Sequence, residues 1–197
     1  MRILITGFEP FGGEHINPSW EAVSRLPDKI GGAEIVKRRL PVSYAGSEAA
    51  LARLIDELKP GYVIATGQAG GRTGISVECC ALNRDHTEMS DNDGDRRLYA
   101  PIAEGGSAAL FTDAPAARII EAVREAGLPC APSFSAGTYV CNHVYYRLLS
   151  SMGRGLFVHV PFVPAQVPGG DRPTMELPDI ARALEIIANQ ILTSLRP

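Results

Sequence analysis

The sequence predicts a single α/β domain built on a doubly wound, mostly parallel sheet with helices on both faces. Three observations carry that reading. Short apolar runs that stop at glycine alternate with helix-period segments along the first third of the chain, and parallel neighbours in a sheet need such crossover helices. The chain has 197 residues, a length that suits one α/β domain. Apolar residues make up 45% of it, enough to fill a sizeable core and far from the composition of a disordered chain.

The first strand reads from Arg2 to Thr6 and stops at Gly7, after which Phe8-Glu9-Pro10-Phe11-Gly12-Gly13 is loop chemistry carrying two aromatic rings. Asn17 and Pro18 cap and pre-set a helix running toward Leu26, because Asn accepts an orphan N–H and Pro at the first position gives up nothing. A second strand falls within Glu34 to Val42, and a helix follows from Ser47 through Leu51, Leu54, Ile55 and Leu58, ending before Pro60-Gly61. Tyr62 to Thr66 is the next strand and stops at Gly67, so the two glycine-terminated strand ends lie at one edge of the sheet, where such folds place ligands.

Beyond Gly67 the segment Gly70-Gly71-Arg72-Thr73-Gly74 is a turn, and Ile75 to Leu82 alternates as a short strand. Asn83 to Arg97 is dense with charge and reads as a solvated, mobile loop or lid. A helix from Pro115 to Ala126 follows with Ile119, Ile120 and Val123 inward, and then a strand within Pro129 to Phe134. After Gly137 a helix covers roughly Cys141 to Ser151, and Gly155 to Pro161 is an apolar strand containing His159. Pro164 to Pro173 is irregular, and Leu177 to Leu195 closes the chain as an amphipathic helix. No repeat or linker divides the 1–197 span, which is read as one domain.

Nineteen basic against twenty-two acidic residues give a formal net charge of −3, with no cationic excess to collect phosphates, so nucleic acid is not an expected partner. No stretch reaches the length of a membrane span, and Met1-Arg2-Ile3-Leu4-Ile5-Thr6-Gly7 turns polar too soon for a signal peptide, so a cytoplasmic protein without membrane contact is expected. Reduced thiols are expected at Cys79, Cys80, Cys130 and Cys141.

Cys141 is the best placed of these thiols for chemistry. At a helix N-terminus, free N–H groups and the dipole favour a thiolate and can hold an oxyanion. From position alone it reads equally well as a small hydrophobe filling core space. His159 lies in an apolar run where an imidazole must be hydrogen-bonded, and it reads either as a base reaching the same sheet edge or as a satisfied core histidine. Glu78 interrupts a low-charge segment, where a carboxylate is paired or costly; it either orients the histidine or forms an ion pair with an arginine. His143, two residues after Cys141, points elsewhere on the helix, and His15 and His86 read as loop histidines. No C-x-x-C or H-E-x-x-H pattern suggests a metal, and Gly67-Gln68-Ala69-Gly70-Gly71-Arg72 matches neither nucleotide-binding glycine pattern.

Five segments together resemble the pyroglutamyl-peptidase I, or pyrrolidone-carboxylate peptidase, family of cysteine peptidases: Gly7 to Gly13, Asn17 to Trp20, Gly67 to Arg72, Ala136 to His143, and Phe157 to Pro161. The likeness covers nearly the whole chain in order. It implies a single domain with a twisted, mixed central sheet, a cytosolic homo-oligomer, commonly a tetramer, and no cofactor. It also implies Cys141 as nucleophile, His159 as base and Glu78 as orienting carboxylate. The implied reaction is hydrolysis of the bond after an N-terminal pyroglutamyl residue through a thioester. Phe8, Phe11, Asn17, Gln68, Tyr139 and Val140 are the implied pocket for the pyrrolidone ring. The sequence departs from the family pattern at Tyr139, usually Phe, and at Cys79, usually Arg. It departs again at Glu88, where another arginine is expected that Arg84 would have to replace. Two other functions fit the same cleft: a non-catalytic binder of a lactam or small peptide, and a cysteine amidase acting on another cyclic amide.

Overall fold

The computed structural model describes residues 1–195. In chain order the elements are β1 (Arg2–Phe8), α1 (Pro18–Ser24), β2 (Lys29–Ile30), β3 (Ala33–Leu40), α2 (Tyr44–Leu58), β4 (Tyr62–Gln68), β5 (Ile75–Glu78), β6 (Cys80–Leu82), β7 (Ala109–Phe111), α3 (Ala116–Glu125), β8 (Cys130–Ser133), α4 (Val140–Met152), β9 (Leu156–Val160) and α5 (Leu177–Ser194). Seven strands form one sheet in the order β2-β3-β1-β4-β9-β5-β8. The β3–β1–β4–β9 run is parallel, as is β5–β8, while β2–β3 and β5–β9 are antiparallel, so the sheet is mixed but mostly parallel, as expected.

Strand periodicity divides the core between the two faces. Ile3, Ile5, Tyr62, Ile64, Ile75, Val77, Val158 and Val160 pack with the apolar stripes of α1, α3 and α5. Leu4, Val63, Ala65 and Phe157 pack with α2 and α4. Local chemistry fixes the helix starts. Asn17 accepts from the Ser19 N–H at the head of α1, and Ser43 accepts from the Gly46 N–H, which starts α2 at Tyr44, ahead of the expected Ser47.

Two expectations are corrected and a third is qualified. β1 and β4 do not stop at Gly7 and Gly67 but pair through them to Phe8 and Gln68. Glycine there permits close approach: a Cβ on Gly7 would lie 2.6 Å from the Trp20 backbone. The Ile75–Leu82 run breaks at Cys79, with β5 in the main sheet and β6 pairing β7 in a separate ribbon. The 83–97 segment is exposed over most of its length, as expected, but it is anchored at two buried residues, Asp85 and Asp91. Asp85 takes bonds from His143 and Arg97, and Asp91 accepts from the N–H groups of Tyr44, Asp93 and Asp95. Neither β2 nor β7 was expected; at two and three residues they carry too little periodicity to be read.

Candidate active site

The face of the sheet beneath α4 carries the candidate groups His159 and Glu78. His159 alternates with Phe157 on that face, while Val158 and Val160 point to the other. In the same way Glu78 points opposite to Val77 on β5. β5 and β9 are antiparallel with Ser76 opposite His159 and Glu78 opposite Phe157, so Glu78 and His159 are diagonal neighbours on one face. Across β9, Gly67 of β4 is in register with His159. Cys141 is the second residue of α4, whose cap is Tyr139, and its sulfur occupies the space above Gly67: a Cβ there would lie 2.7 Å from Sγ.

His159 Nδ1 meets Glu78 Oε1 at 2.7 Å, with both groups buried. The Arg72 guanidinium reaches the same oxygen at 2.8 Å through Nη1 and the Ser135 carbonyl at 3.3 Å through Nη2. The two readings of Glu78, histidine partner and arginine ion pair, are both realised. Tyr145 of α4 donates to the Glu78 carbonyl at 2.8 Å, tying helix to strand. Burial alone would raise the Glu78 carboxyl, but the imidazole's hydrogen bond and charge and the Arg72 guanidinium outweigh it and hold it below the usual carboxylate value. Burial lowers His159 against the opposing pull of Glu78, so the ring rests neutral at pH 7. Burial pushes the Cys141 thiol up to about 12, with Glu78 adding to the rise and Arg72 opposing it. Burial thus opposes the preference for a thiolate that the helix N-terminus supplies, although Cys141 is only partly buried and lines the open cavity described next.

A cavity of about 300 Å³ opens beside this pair. Phe8, Phe11, Asn17, Gln68, Tyr139 and Val140, every pocket residue expected from the sequence, line it together with Cys141 and His159. Phe11 and Tyr139 approach with ring centroids 6.2 Å apart. Asn17 is fixed by donating to the Glu9 carbonyl and accepting from Ser19. Gln68 Oε1 accepts from Gln166 Nε2 at 3.0 Å, and Gln166 Oε1 in turn accepts from the Val163 N–H. Among the described residues lining the cavity there is no carboxylate, and the cation is Arg72.

Other candidates fall outside. Glu88 is exposed and pairs with Arg96, and Arg84 donates to the Tyr99 carbonyl; neither lines the cavity, so Glu88 sets no repulsion there and Arg84 does not stand in for the expected arginine. Cys79 is partly buried, and burial raises its thiol. His143 is buried between Asp85 and Glu48, at 2.8 and 3.0 Å. Among the described residues no three His, Cys, Asp or Glu side chains cluster as a metal site would require. Sequence reasoning missed Arg72 and Gln166. Arg72 had a signal as the last residue of the Gly67–Arg72 motif; Gln166, in an irregular stretch, had none.

The pyroglutamyl peptidase family model matches residues 1–194. The pyrrolidone-carboxylate peptidase of Thermococcus onnurineus is 50% identical over 202 residues, covering 100% of both chains. That of Erwinia tasmaniensis is 48% identical over 94% of this chain and 90% of its own. The crystal structure of Bacillus amyloliquefaciens pyroglutamyl peptidase I superposes with a TM-score of 0.93 at 39% identity, covering 98% of this chain and 97% of that one. A mutant pyrrolidone carboxyl peptidase from P. furiosus gives a TM-score of 0.95 at 34% identity over the full length of both.

Proposed function

Since the chain belongs to the pyroglutamyl peptidase family, and is thereby a cysteine-type omega-peptidase acting on N-terminal pyroglutamyl peptides, we propose that Cys141 is its nucleophile, His159 its general base and Glu78 the carboxylate that orients the base. The observation that carries this assignment is the 2.7 Å contact between His159 Nδ1 and Glu78 on the sheet face directly beneath the Cys141 sulfur. With Nδ1–H committed to Glu78, Nε2 is the free base. It takes the thiol proton as Sγ bonds to the carbonyl carbon that joins the pyrrolidone ring to the next residue. The N–H groups of Val140 and Cys141, in the first turn of α4, hold the oxyanion. The same proton passes to the departing amine, leaving a thioester. His159 then deprotonates water, which attacks the thioester and releases free pyroglutamate.

The pocket favours a neutral ring. Phe8, Phe11, Tyr139 and Val140 cover its apolar atoms, and Gln68 and Asn17 supply polar partners for the lactam. An N-terminal glutamine would bring an ammonium into a cavity lined by Arg72 and no carboxylate. Burying such a charge without a partner costs at least several kcal/mol, on the order of a thousandfold or more in discrimination. A non-catalytic binder would have no use for a buried imidazole–carboxylate pair under a thiol.

Release of the fluorophore from a pyroglutamyl arylamide, set against the glutaminyl compound, tests the assignment. Cleavage of the first alone, lost on thiol alkylation and reduced at least about a thousandfold in a folded Cys141→Ser variant, is the expected result. Full activity in Cys141→Ser would sink it.

The 1–197 chain is further read as one domain forming a cytoplasmic homo-oligomer, a tetramer by family likeness. Support comes from Phe111 and Phe134, large side chains left exposed on the protomer. No helix among the described residues is long and apolar enough to cross a membrane. Light scattering on the purified protein gives the subunit number directly.

A further inference from the structure

The proposed acid–base pair has a third member that the reaction as written does not use. Arg72 lies in the segment joining β4 and β5, lines the cavity, and places Nη1 2.8 Å from the one oxygen of Glu78 that also holds His159. Its side chain is 28% exposed, while that of Glu78 is fully buried. Its second nitrogen grips the Ser135 carbonyl, in the stretch that supplies Ser135, Ala136 and Gly137 to the cavity wall. We propose that Arg72 is a positioning residue of the reaction, which shares the Glu78 carboxylate with His159 and so sets how much of that negative charge the imidazole and the thiol feel. This inference rests on the assignment of Cys141, His159 and Glu78 given above.

A buried carboxylate facing His159 alone would draw its proton tightly and hold the ring as imidazolium, which cannot accept the thiol proton. The same charge would oppose formation of a thiolate. A guanidinium on the shared oxygen opposes both effects: Arg72 acts to lower His159 and to lower Cys141, against Glu78, which raises each. The charged and titratable groups facing the pair are few. Glu78 comes from β5, Arg72 from the β4–β5 segment, and Tyr139 from the cap of α4; Phe157 and Ser76, beside His159, are neutral. A planar fork that binds Glu78 and Ser135 together fixes the carboxylate and the cavity wall in one geometry, which a lysine could not do.

The test is the pH dependence of kcat/KM and of Cys141 alkylation by iodoacetamide, in wild type, Arg72→Gln and Arg72→Lys. Removing the charge is expected to move the acid limb of kcat/KM and the alkylation limb upward by about one pH unit. Arg72→Lys keeps the charge, so its limbs stay with the wild type while kcat falls through lost orientation. Limbs that do not move in a folded Arg72→Gln, with only a lower melting temperature, would overturn the proposal. Should that variant not fold, the wild type decides. Its acid limb is expected below the ordinary histidine value of 6.5, and a limb above that value would mean that Glu78 acts undiluted and that Arg72 has no such role. Cys141→Ser run alongside separates the two ideas. An active Cys141→Ser fails the nucleophile assignment; an inactive one beside unmoved Arg72→Gln limbs fails the role of Arg72 alone.

Discussion

Gly67 is the residue on which the approach of thiol and imidazole depends. It stands in register with His159, and a methyl group on it would meet Cys141 Sγ at 2.7 Å and the Phe157 ring at 2.9 Å. The Phe157 ring is packed in the core and cannot yield, so the sulfur, which borders the cavity, is the neighbour that must move. Gly67→Ala is therefore expected to lower kcat/KM by at least about tenfold through displacement of the sulfur and to destabilise the fold by about 1–3 kcal/mol. Steady-state kinetics beside thermal melting will show both, and wild-type kinetics would refute the argument. At this scale the sequence singled out Cys141, His159 and Glu78, but their residue types alone left each divided between a chemical and a packing role. What residue types cannot supply is the juxtaposition on which the proposed roles rest, made when strands far apart in the chain are set side by side. Arg72 was hidden for another reason: an ion pair and a histidine partner read as rival explanations of Glu78, whereas one carboxylate oxygen accepts from both.

Among the elements, the 83–97 segment shows what charge density leaves out: the loop is largely exposed, as its composition suggests, yet it is anchored at two points. The anchors are illegible in the sequence because their partners are distant: Asp85 is bonded to His143, 58 residues on, and Asp91 to the N–H of Tyr44, 47 residues back. The segment also braces the pocket, since the Ser90 carbonyl accepts from the Tyr139 hydroxyl at 3.1 Å and Thr138 exchanges bonds with His86. Asp85→Ala would leave buried His143 and half-buried Arg97 without a shared acceptor, at a cost of about 3 kcal/mol. Denaturant melts should show that loss, and limited proteolysis should open new cuts between residues 86 and 97; an unchanged melt would mean that the pairing is not what holds the segment. The longer elements were legible because their periods are strong. β2, β7 and the break at Cys79 were not, because runs of two to four residues carry no period to read.

For the whole molecule, the buried pair links stability to pH. Both Glu78 and His159 are lowered in the folded state, so below their ordinary values of 4.5 and 6.5 the unfolded chain binds more protons than the folded one. Stability then rises with pH across each window and is lost as pH falls, first below 6.5 through His159 and then below 4.5 through Glu78. The melting temperature should fall as the pH is taken from about 7.5 to 5, and more shallowly in His159→Phe, where the first titration is gone; equal slopes would contradict the linkage. The antiparallel β5–β9 pairing has a further consequence, one of time. Glu78 and His159 are 81 residues apart and meet only when those strands dock. Joining them closes one of the longest loops in the sheet, and such non-local pairings carry an entropic cost that slows folding. A chain in which β5 has not joined β9 has no carboxylate behind its imidazole, so its power to cut peptides is tied to the closing of its sheet.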